Sequence, residues 1–172
     1  MIRIAIYDDN AARRDSLQSI LALQSDFLWV GSFAHCGNIL EDLEKVRPDI
    51  ILMDLEMPVV NGIEGIRLAK ANFPEIKIIV QTVFDDDEKV FAALKAGAEG
   101  YILKSASVPQ VTQSIDEVYK GGASMSPSIA MKVIRFFGSV PIRKSEDYQL
   151  TPKESSVLKK LADGLSYKMI AD

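Results

Sequence analysis

Short apolar runs alternate with longer stretches in which apolar residues recur every three or four positions along the first 120 residues. The short runs predict strands, and the periodic stretches predict helices. The predicted strands are 2–7, 27–34, 49–54, 76–80 and 98–103. The predicted helices alternate with them, at 11–23, 38–46, 62–73, 85–96 and 108–119. Regular alternation of this kind predicts an α/β fold, with a parallel sheet covered by helices on both faces.

The third predicted strand fixes the centre of this sheet. Residues 50–53 are apolar without interruption, which is typical of a strand buried on both faces. The run ends on a carboxylate, Asp54. We expect the doubly wound, flavodoxin-like (βα)5 arrangement with strand order 2-1-3-4-5, in which strands one and three are neighbours.

Polar residues follow the predicted strands at the edge where open parallel sheets bind ligands. They are Asp8, Asp9, Asp54, Thr82 and Lys104. Each residue alone would be expected to cap a helix or face solvent, but together they predict a phosphoryl-transfer site. Converging carboxylates require a cation, and a hard divalent ion such as Mg²⁺ prefers oxygen ligands. In such a site an aspartate oxygen is the nucleophile, while a lysine and a hydroxyl bind phosphoryl oxygens.

The composition indicates which cellular compartment and which partners to expect. The 172 residues carry a net charge of −4, which argues against nucleic-acid binding over the whole surface. The single cysteine, Cys36, excludes an internal disulfide and fits a reducing compartment. No apolar run approaches membrane-spanning length. We therefore expect a cytoplasmic protein without a membrane partner.

Residues 1–120 resemble the receiver domain of two-component response regulators. The matching motifs are Tyr7-Asp8-Asp9, Met53-Asp54-Leu55-Glu56-Met57-Pro58 with Asn61-Gly62, Gln81-Thr82, and Tyr101-Ile102-Leu103-Lys104. The resemblance implies that Asp54 accepts a phosphoryl group from the phosphohistidine of a sensor histidine kinase. Many receivers follow the lysine with proline, whereas this chain has Ser105, so a cis peptide bond is not expected there.

The same resemblance assigns roles to the other site residues. It implies that Asp9, Asp54 and the backbone carbonyl of Glu56 ligate Mg²⁺ or Mn²⁺ directly, and that Asp8 acts largely through a metal-bound water. Thr82 and Lys104 would hold the phosphoryl oxygens. Tyr101 would turn inward together with Thr82 on activation. Glu56 and Phe84 flank the positions that tune phosphoryl lifetime in the family.

The remaining chain, 121–172, shows no strand pattern, and the double glycine at 121–122 predicts a domain boundary. We expect an all-α linker at 121–149 with one helix starting at Pro127, whose apolar face is Ile129, Ala130, Val133, Ile134 and Phe137. Gly138 to Gln149 is predicted to be a polar connection.

Residues 150–172 begin with a capping box, Thr151-Pro152-Lys153-Glu154. Val157, Leu158 and Leu161 are predicted to face inward, with a second short helix after Gly164. This segment resembles the start of the helix-turn-helix domain of NarL/FixJ/LuxR-type regulators. The chain stops at Asp172, before the recognition helix, so we expect a truncated domain that does not bind DNA specifically and exposes apolar surface. The full-length protein would bind DNA as a homodimer after activation.

Two alternatives remain open at this stage. The first is an aspartate-nucleophile phosphatase, in which Glu56, two residues after the nucleophile, would act as acid or base. The second is a stand-alone interaction module in which phosphorylation controls partner docking. On the main hypothesis the chain is not an enzyme, apart from assisting its own phosphorylation and dephosphorylation. The acids 85–87, with Asp85 as a helix cap, His35 and Cys36 are predicted to be structural.

Overall fold

A six-stranded parallel sheet forms the centre of the protein. The structure, a computed structural model, describes residues 1–83, 86–139 and 151–162. The strands are β1 (Ile2–Tyr7), β2 (Phe27–Phe33), β3 (Ile50–Met53), β4 (Lys77–Thr82), β5 (Gly100–Leu103) and β6 (Ser124–Met125). The helices are α1 (Ala11–Leu21), α2 (Ile39–Val46), α3 (Gly62–Asn72), α4 (Asp87–Ala96), α5 (Val108–Tyr119), α6 (Pro127–Ser139) and α7 (Pro152–Ala162).

The strand order is β2-β1-β3-β4-β5-β6, and all neighbouring strands are parallel. The predicted order of the first five strands is therefore confirmed. The prediction that no strand follows Gly121 was wrong, because β6 pairs with β5 through Ser124 and Met125. A strand of two residues is too short to produce a recognisable alternation of apolar and polar positions.

The apolar core lies in two layers on opposite faces of the sheet. On one face, Ile50 and Leu52 of β3 pack with residues of α1 and α5. On the other face, Ile51 and Met53 pack with residues of α2, α3, α4 and α6. All four β3 residues are fully buried, as the uninterrupted apolar run predicts for a central parallel strand.

The chain divides into two compact units, residues 1–136 and 137–172. Within the first unit, α6 packs against the core through Ile129, which is fully buried, and Val133. Its Phe136 ring stacks on Phe91 of α4 with centroids 3.8 Å apart. The predicted apolar face was therefore wrong near the end of this helix. Ile134 and Phe137 are exposed, and Phe136 makes the aromatic contact instead.

The helix α4 begins at Asp87, two residues after the predicted start, and its N-cap lies one residue after the predicted cap. Its N-cap is Asp86, whose side chain accepts a hydrogen bond from the Glu88 amide at 2.8 Å. The predicted cap, Asp85, lies outside the described residues, as does Phe84. Because Asp86 caps the helix, the prediction of Asp85 as its cap was wrong. Gly97 ends α4 in a left-handed conformation with φ 111°, which glycine adopts without steric cost.

In the second unit, the capping box at the start of α7 is confirmed. The Thr151 amide and hydroxyl donate to a Glu154 carboxylate oxygen at 2.8 and 2.7 Å, and the Glu154 amide donates to the Thr151 hydroxyl at 3.4 Å. Val157 and Leu158 are exposed, so their predicted inward orientation was wrong for the described part of this unit. The predicted connection from Gly138 to Gln149 starts too early, because α6 continues to Ser139. The rest of that connection and the second short helix fall outside the described residues.

Several residues with reactive side chains have structural roles. Cys36 is buried, and burial raises the pKa of its thiol to about 12, so the thiol stays neutral. His35 Nδ1 accepts a hydrogen bond from the Gly37 amide at 3.1 Å, which closes a local turn.

In the described part of the chain, no helix is both long and apolar enough to cross a membrane.

Candidate functional site

Backbone pairing continues past the strands at the carboxyl edge of the sheet and fixes the positions of three residues there. The Asp54 amide donates to the Tyr7 carbonyl at 2.8 Å, and the Asp8 amide donates to the Phe33 carbonyl at 3.1 Å. The Lys104 amide donates to the Thr82 carbonyl at 2.7 Å. Because the ladder holds these backbones, the side chains of Asp8, Asp54 and Lys104 start from defined points on one edge.

The three predicted acids meet at this edge. Asp8, Asp9 and Asp54 each offer a carboxylate oxygen, and these oxygens lie within 4.8 Å of one another. Asp8 is 1% exposed and Asp54 is 5% exposed, whereas Asp9 is exposed. The structure thus brings together the acids that the sequence places after β1 and β3.

Lys104 joins the same cluster. Its Nζ lies 2.7 Å from Asp54 Oδ2 and 2.8 Å from Asp8 Oδ2. The lysine therefore bridges the two buried carboxylates from the end of β5. The bridge is favourable because two buried carboxylates with oxygens within 4.8 Å of each other would otherwise raise each other's pKa.

The pKa of Asp54 stays above its ordinary value despite this partner. Burial raises its pKa above the ordinary value, and the charge on Asp8 raises it further. The hydrogen bond and charge of Lys104, together with the Glu56 amide, act in the opposite direction. A raised pKa means that additional positive charge near the carboxylate would be favourable.

The donor atoms fit a hard divalent cation. Three carboxylates converge, and two of them are buried, which matches the oxygen ligands that Mg²⁺ and Mn²⁺ prefer. The Glu56 amide hydrogen-bonds the Asp54 carboxylate, so this backbone passes beside the acids. The Glu56 side chain is exposed and forms an ion pair with Lys89 of α4.

The two predicted switch residues lie in the sheet beside this cluster. Thr82 is the last residue of β4 and pairs with Leu103, the residue before Lys104. Tyr101 lies in β5, and both Thr82 and Tyr101 are fully buried. Tyr101 is thus already inward in this structure. The switching role of this pair remains a prediction.

Asn10 was not among the predicted site residues, yet it orients one of the acids. The Asn10 amide donates to Asp8 Oδ1 at 2.9 Å. The Asn10 side chain also caps α1 by accepting from the Arg13 amide at 3.1 Å. An asparagine directly before a helical pattern is a recognisable capping signal, so this residue could have been found from sequence.

Arg13 was not predicted either, and it brings a further cation to the Asp8 carboxylate. Its Nε lies 3.4 Å from Asp8 Oδ2. Its two terminal nitrogens donate to the Lys104 carbonyl and to Gln81 Oε1, each at 3.3 Å. The available signal was weak, because an arginine in the first turn of a helix is ordinarily solvated.

The loop that follows Asp54 returns close to it. The Gly62 amide donates to the Leu55 carbonyl at 3.0 Å, and the Asn61 side chain caps α3 by accepting from the Glu64 amide at 2.9 Å. Val59 has φ 71°, a left-handed conformation that is unfavourable for a β-branched residue. The tight return of this loop holds the Asp54 backbone between β3 and α3.

We predict that Lys104→Met lowers the unfolding free energy by about 2–4 kcal/mol at pH 7.5, because it leaves two buried acids without their bridging cation. The loss should shrink as the pH falls towards 5. The variant raises the native pKa of Asp54 further, so the native state binds a proton more readily than the unfolded chain. Urea denaturation in EDTA at both pH values measures this.

Lys120→Met is the matched control, since Lys120 pairs with Asp116 on the exposed face of α5. Exposed pairs contribute little to stability, so this variant should behave like the parent at both pH values. A Lys104→Met deficit that is constant or grows as the pH falls would contradict the prediction.

Comparisons with known proteins agree with this geometry. A family model described as the response regulator receiver domain matches residues 4–116. The uncharacterized transcriptional regulatory protein YhcZ of Bacillus subtilis (strain 168) is 37% identical over 171 residues, covering 99% of this chain and 79% of that protein. The transcriptional regulatory protein DegU of Brevibacillus brevis is 32% identical over 186 residues, with the same coverage of 99% and 79%.

Solved structures show the same fold. The crystal structure of a LuxR-family two-component response regulator from Aurantimonas sp. SI85-9A1 has a TM-score of 0.75 and 27% identity, and covers 80% of this chain and 99% of its own. The RcsB response regulator of Salmonella typhimurium, studied for its interaction with DNA, has a TM-score of 0.73 and 25% identity, and covers 99% of this chain and 82% of its own.

Proposed function

This chain belongs to the response regulator receiver family, and on that premise we propose that Mg²⁺-dependent phosphoryl transfer from a sensor histidine kinase to Asp54 switches a transcription regulator. The observation that carries the proposal is the placement of Asp54. It is buried at the end of the central strand, beside two further acids, and its carboxylate contacts Lys104 at 2.7 Å.

In the proposed reaction, an Asp54 carboxylate oxygen forms a bond to phosphorus. The bond between phosphorus and the donor imidazole nitrogen breaks, and its electron pair leaves with that nitrogen. Phosphoryl transfer depends on positioning and on neutralising charge. Lys104 supplies a positive charge beside Asp54 from the end of β5, and Thr82 at the end of β4 would supply a hydroxyl donor.

Asp8, Asp9, Asp54 and the Glu56 carbonyl are the proposed ligands of Mg²⁺ or Mn²⁺. When bound, the divalent ion would neutralise charge on the acids and on the incoming phosphoryl group. Asp9 is exposed, which leaves the cluster open to solvent, while Asp8 and Asp54 are buried. These acids define where the donor phosphate would approach.

Helix α4 is the proposed route from the site to the rest of the first unit. Lys89 near its start pairs with Glu56 of the loop after Asp54. Asp87, two residues earlier, accepts from Lys132 of α6 at 2.8 Å, and Phe91 stacks on Phe136. A change at the site that shifts α4 would therefore alter both its contact with the loop and its contact with α6.

The proposed output is transcriptional regulation through DNA binding by a homodimer of the full-length protein. Relatives over nearly the whole chain are named transcriptional regulatory proteins, and the RcsB structure concerns an interaction with DNA. The phosphatase alternative is less well supported, because the Glu56 side chain that it would use as acid or base is paired with Lys89.

Incubation of the chain with acetyl phosphate and Mg²⁺ tests the phosphoryl-acceptor role directly. We expect the intact mass to rise by one phosphoryl group, with the modification mapped by peptide mass spectrometry to the segment containing Asp54. Chelation of the divalent ion with EDTA should prevent the increase. Modification that persists in EDTA, or that maps elsewhere, would contradict the proposal.

A further inference from the structure

The guanidinium of Arg13 spans the ends of three strands at the acidic site. It approaches Asp8 after β1 at 3.4 Å, donates to Gln81 in β4 at 3.3 Å, and donates to the carbonyl of Lys104 after β5 at 3.3 Å. The Arg13 side chain is 24% exposed, and that of Asp8 is 2% exposed. The positive charge is therefore largely withdrawn from solvent.

The contacts of Arg13 differ in kind. Its terminal nitrogens hydrogen-bond the Lys104 carbonyl and the Gln81 amide oxygen. Its Nε is buried without a hydrogen-bond partner among the described residues, so its relation to Asp8 is electrostatic. The guanidinium is thus anchored by groups other than Asp8, and the charge stays in place when the Asp8 carboxylate binds something else.

The anchored charge of Arg13 affects how strongly the site attracts a divalent cation. Three carboxylates, Asp8, Asp9 and Asp54, converge at the site, and the Lys104 and Arg13 nitrogens lie 2.8 and 3.4 Å from Asp8 Oδ2. A third cation, Arg14, donates to the Asp8 backbone carbonyl at 2.6 Å. Removing the charge of Arg13 makes the site more negative by one unit, so it would attract a divalent cation more strongly.

We propose that Arg13 is a positioning residue of the phosphoryl site, whose anchored charge neutralises Asp8 in the metal-free state and weakens divalent-cation binding. This inference rests on the proposed function, since it assumes that the acids bind a metal. The anchored charge sets the metal affinity of the site and stabilises the fold when no metal is bound. Because this charge weakens binding, the fraction of sites that hold a metal ion would change with the concentration of the free ion.

Isothermal titration calorimetry with Mg²⁺ at about 0.1 M ionic strength tests the proposal on the full chain. Arg13→Met keeps the length of the side chain and removes its charge. It should lower the Kd for Mg²⁺ by about tenfold or more, because the lost charge lies 3.4 Å from an oxygen of Asp8, a proposed ligand, and charges withdrawn from solvent interact more strongly than in water. Arg13→Lys keeps the charge and should stay within about threefold of the parent.

Arg67→Met is the matched control, because Arg67 lies on the exposed face of α3 and pairs with Glu64. It changes the net charge by the same amount and should leave the Kd unchanged. A parent chain that binds Mg²⁺ while Arg13→Met binds no more tightly than Arg67→Met would overturn the inference and leave the proposed function intact. A parent chain that binds no Mg²⁺ would overturn both.

Thermal unfolding provides a readout that does not depend on phosphorylation. In EDTA, Arg13→Met should melt at a lower temperature than the parent, because buried Asp8 loses a counter-charge. Saturating Mg²⁺ should raise the melting temperature of Arg13→Met more than that of the parent, since a ligand stabilises in proportion to the logarithm of its concentration over Kd. Equal Mg²⁺-induced shifts in the two proteins would contradict the proposal.

Discussion

Replacing Asp54 with asparagine should abolish phosphorylation of this chain by acetyl phosphate or by a phosphohistidine donor. The amide of asparagine has nearly the same shape as the carboxylate but is not a nucleophile towards phosphorus. We expect the initial rate of labelling to fall by about two orders of magnitude or more. The measurement is the rise in intact mass with time in the presence of Mg²⁺.

The same variant should remain folded, which separates a chemical loss from a structural one. Burial raises the pKa of Asp54, so the charged form is disfavoured at this position and a neutral amide relieves the cost of its desolvation. Lys104 keeps its contact with Asp8 at 2.8 Å. The urea midpoint in EDTA should therefore be equal to that of the parent or higher.

Asp116→Asn provides the matched control, because it makes the same chemical change at an exposed carboxylate on α5 that pairs with Lys120. Its labelling should equal that of the parent. Labelling of Asp54→Asn at the rate of Asp116→Asn would exclude Asp54 as the acceptor. Loss of labelling together with loss of the folded state would instead show a structural role for the carboxylate.

Replacing Gly62 with alanine should destabilise the first unit by about 3 kcal/mol or more. An added Cβ would lie 2.8 Å from Leu55 Cα and closer still to the carbonyl oxygen of Asp54. Both neighbours are backbone atoms, so neither can move away by changing a rotamer. Because alanine ordinarily stabilises a helix relative to glycine by about 0.5–1 kcal/mol, the predicted sign is the reverse of the usual one.

Gly138→Ala is the matched control for this prediction. Gly138 lies in α6, and among the described residues an added Cβ there would meet no atom beyond its own helix within 4 Å. Its urea midpoint, followed by far-ultraviolet circular dichroism, should be equal to that of the parent or slightly higher. A Gly62→Ala midpoint that matches Gly138→Ala would show that the loop between β3 and α3 can expand without cost.

We expect Gly62→Ala to impair phosphorylation as well as stability. The clash falls on the carbonyl of Asp54 and on Leu55, so relieving it must shift the backbone that carries the acceptor. Labelling by acetyl phosphate should therefore decrease even under conditions in which the variant is still folded. Unchanged labelling in the folded variant would contradict this coupling between loop and acceptor.

The sequence by itself determined the α/β class, the order of the first five strands and the acids at their ends. These features are local, because burial on both faces of β3 requires an uninterrupted apolar run and the chain must leave the sheet where that run ends. The convergence of Asp8, Asp54 and Lys104 followed from topology, since the carboxyl ends of parallel strands share one edge. The capping box of α7 was likewise visible in a few adjacent residues.

Only the tertiary structure decided how the long side chains meet across this edge. Arg13 and Lys104 both reach Asp8 from different elements, and nothing in their local sequence predicts which of several rotamers they adopt. β6 is too short to show a pattern, and the contact of Phe136 with Phe91 depends on the path of α6 over α4. Asp54 was therefore predictable as the centre of a site, whereas the approach of Arg13 and Lys104 to the acids around it depends on packing between elements far apart in the chain.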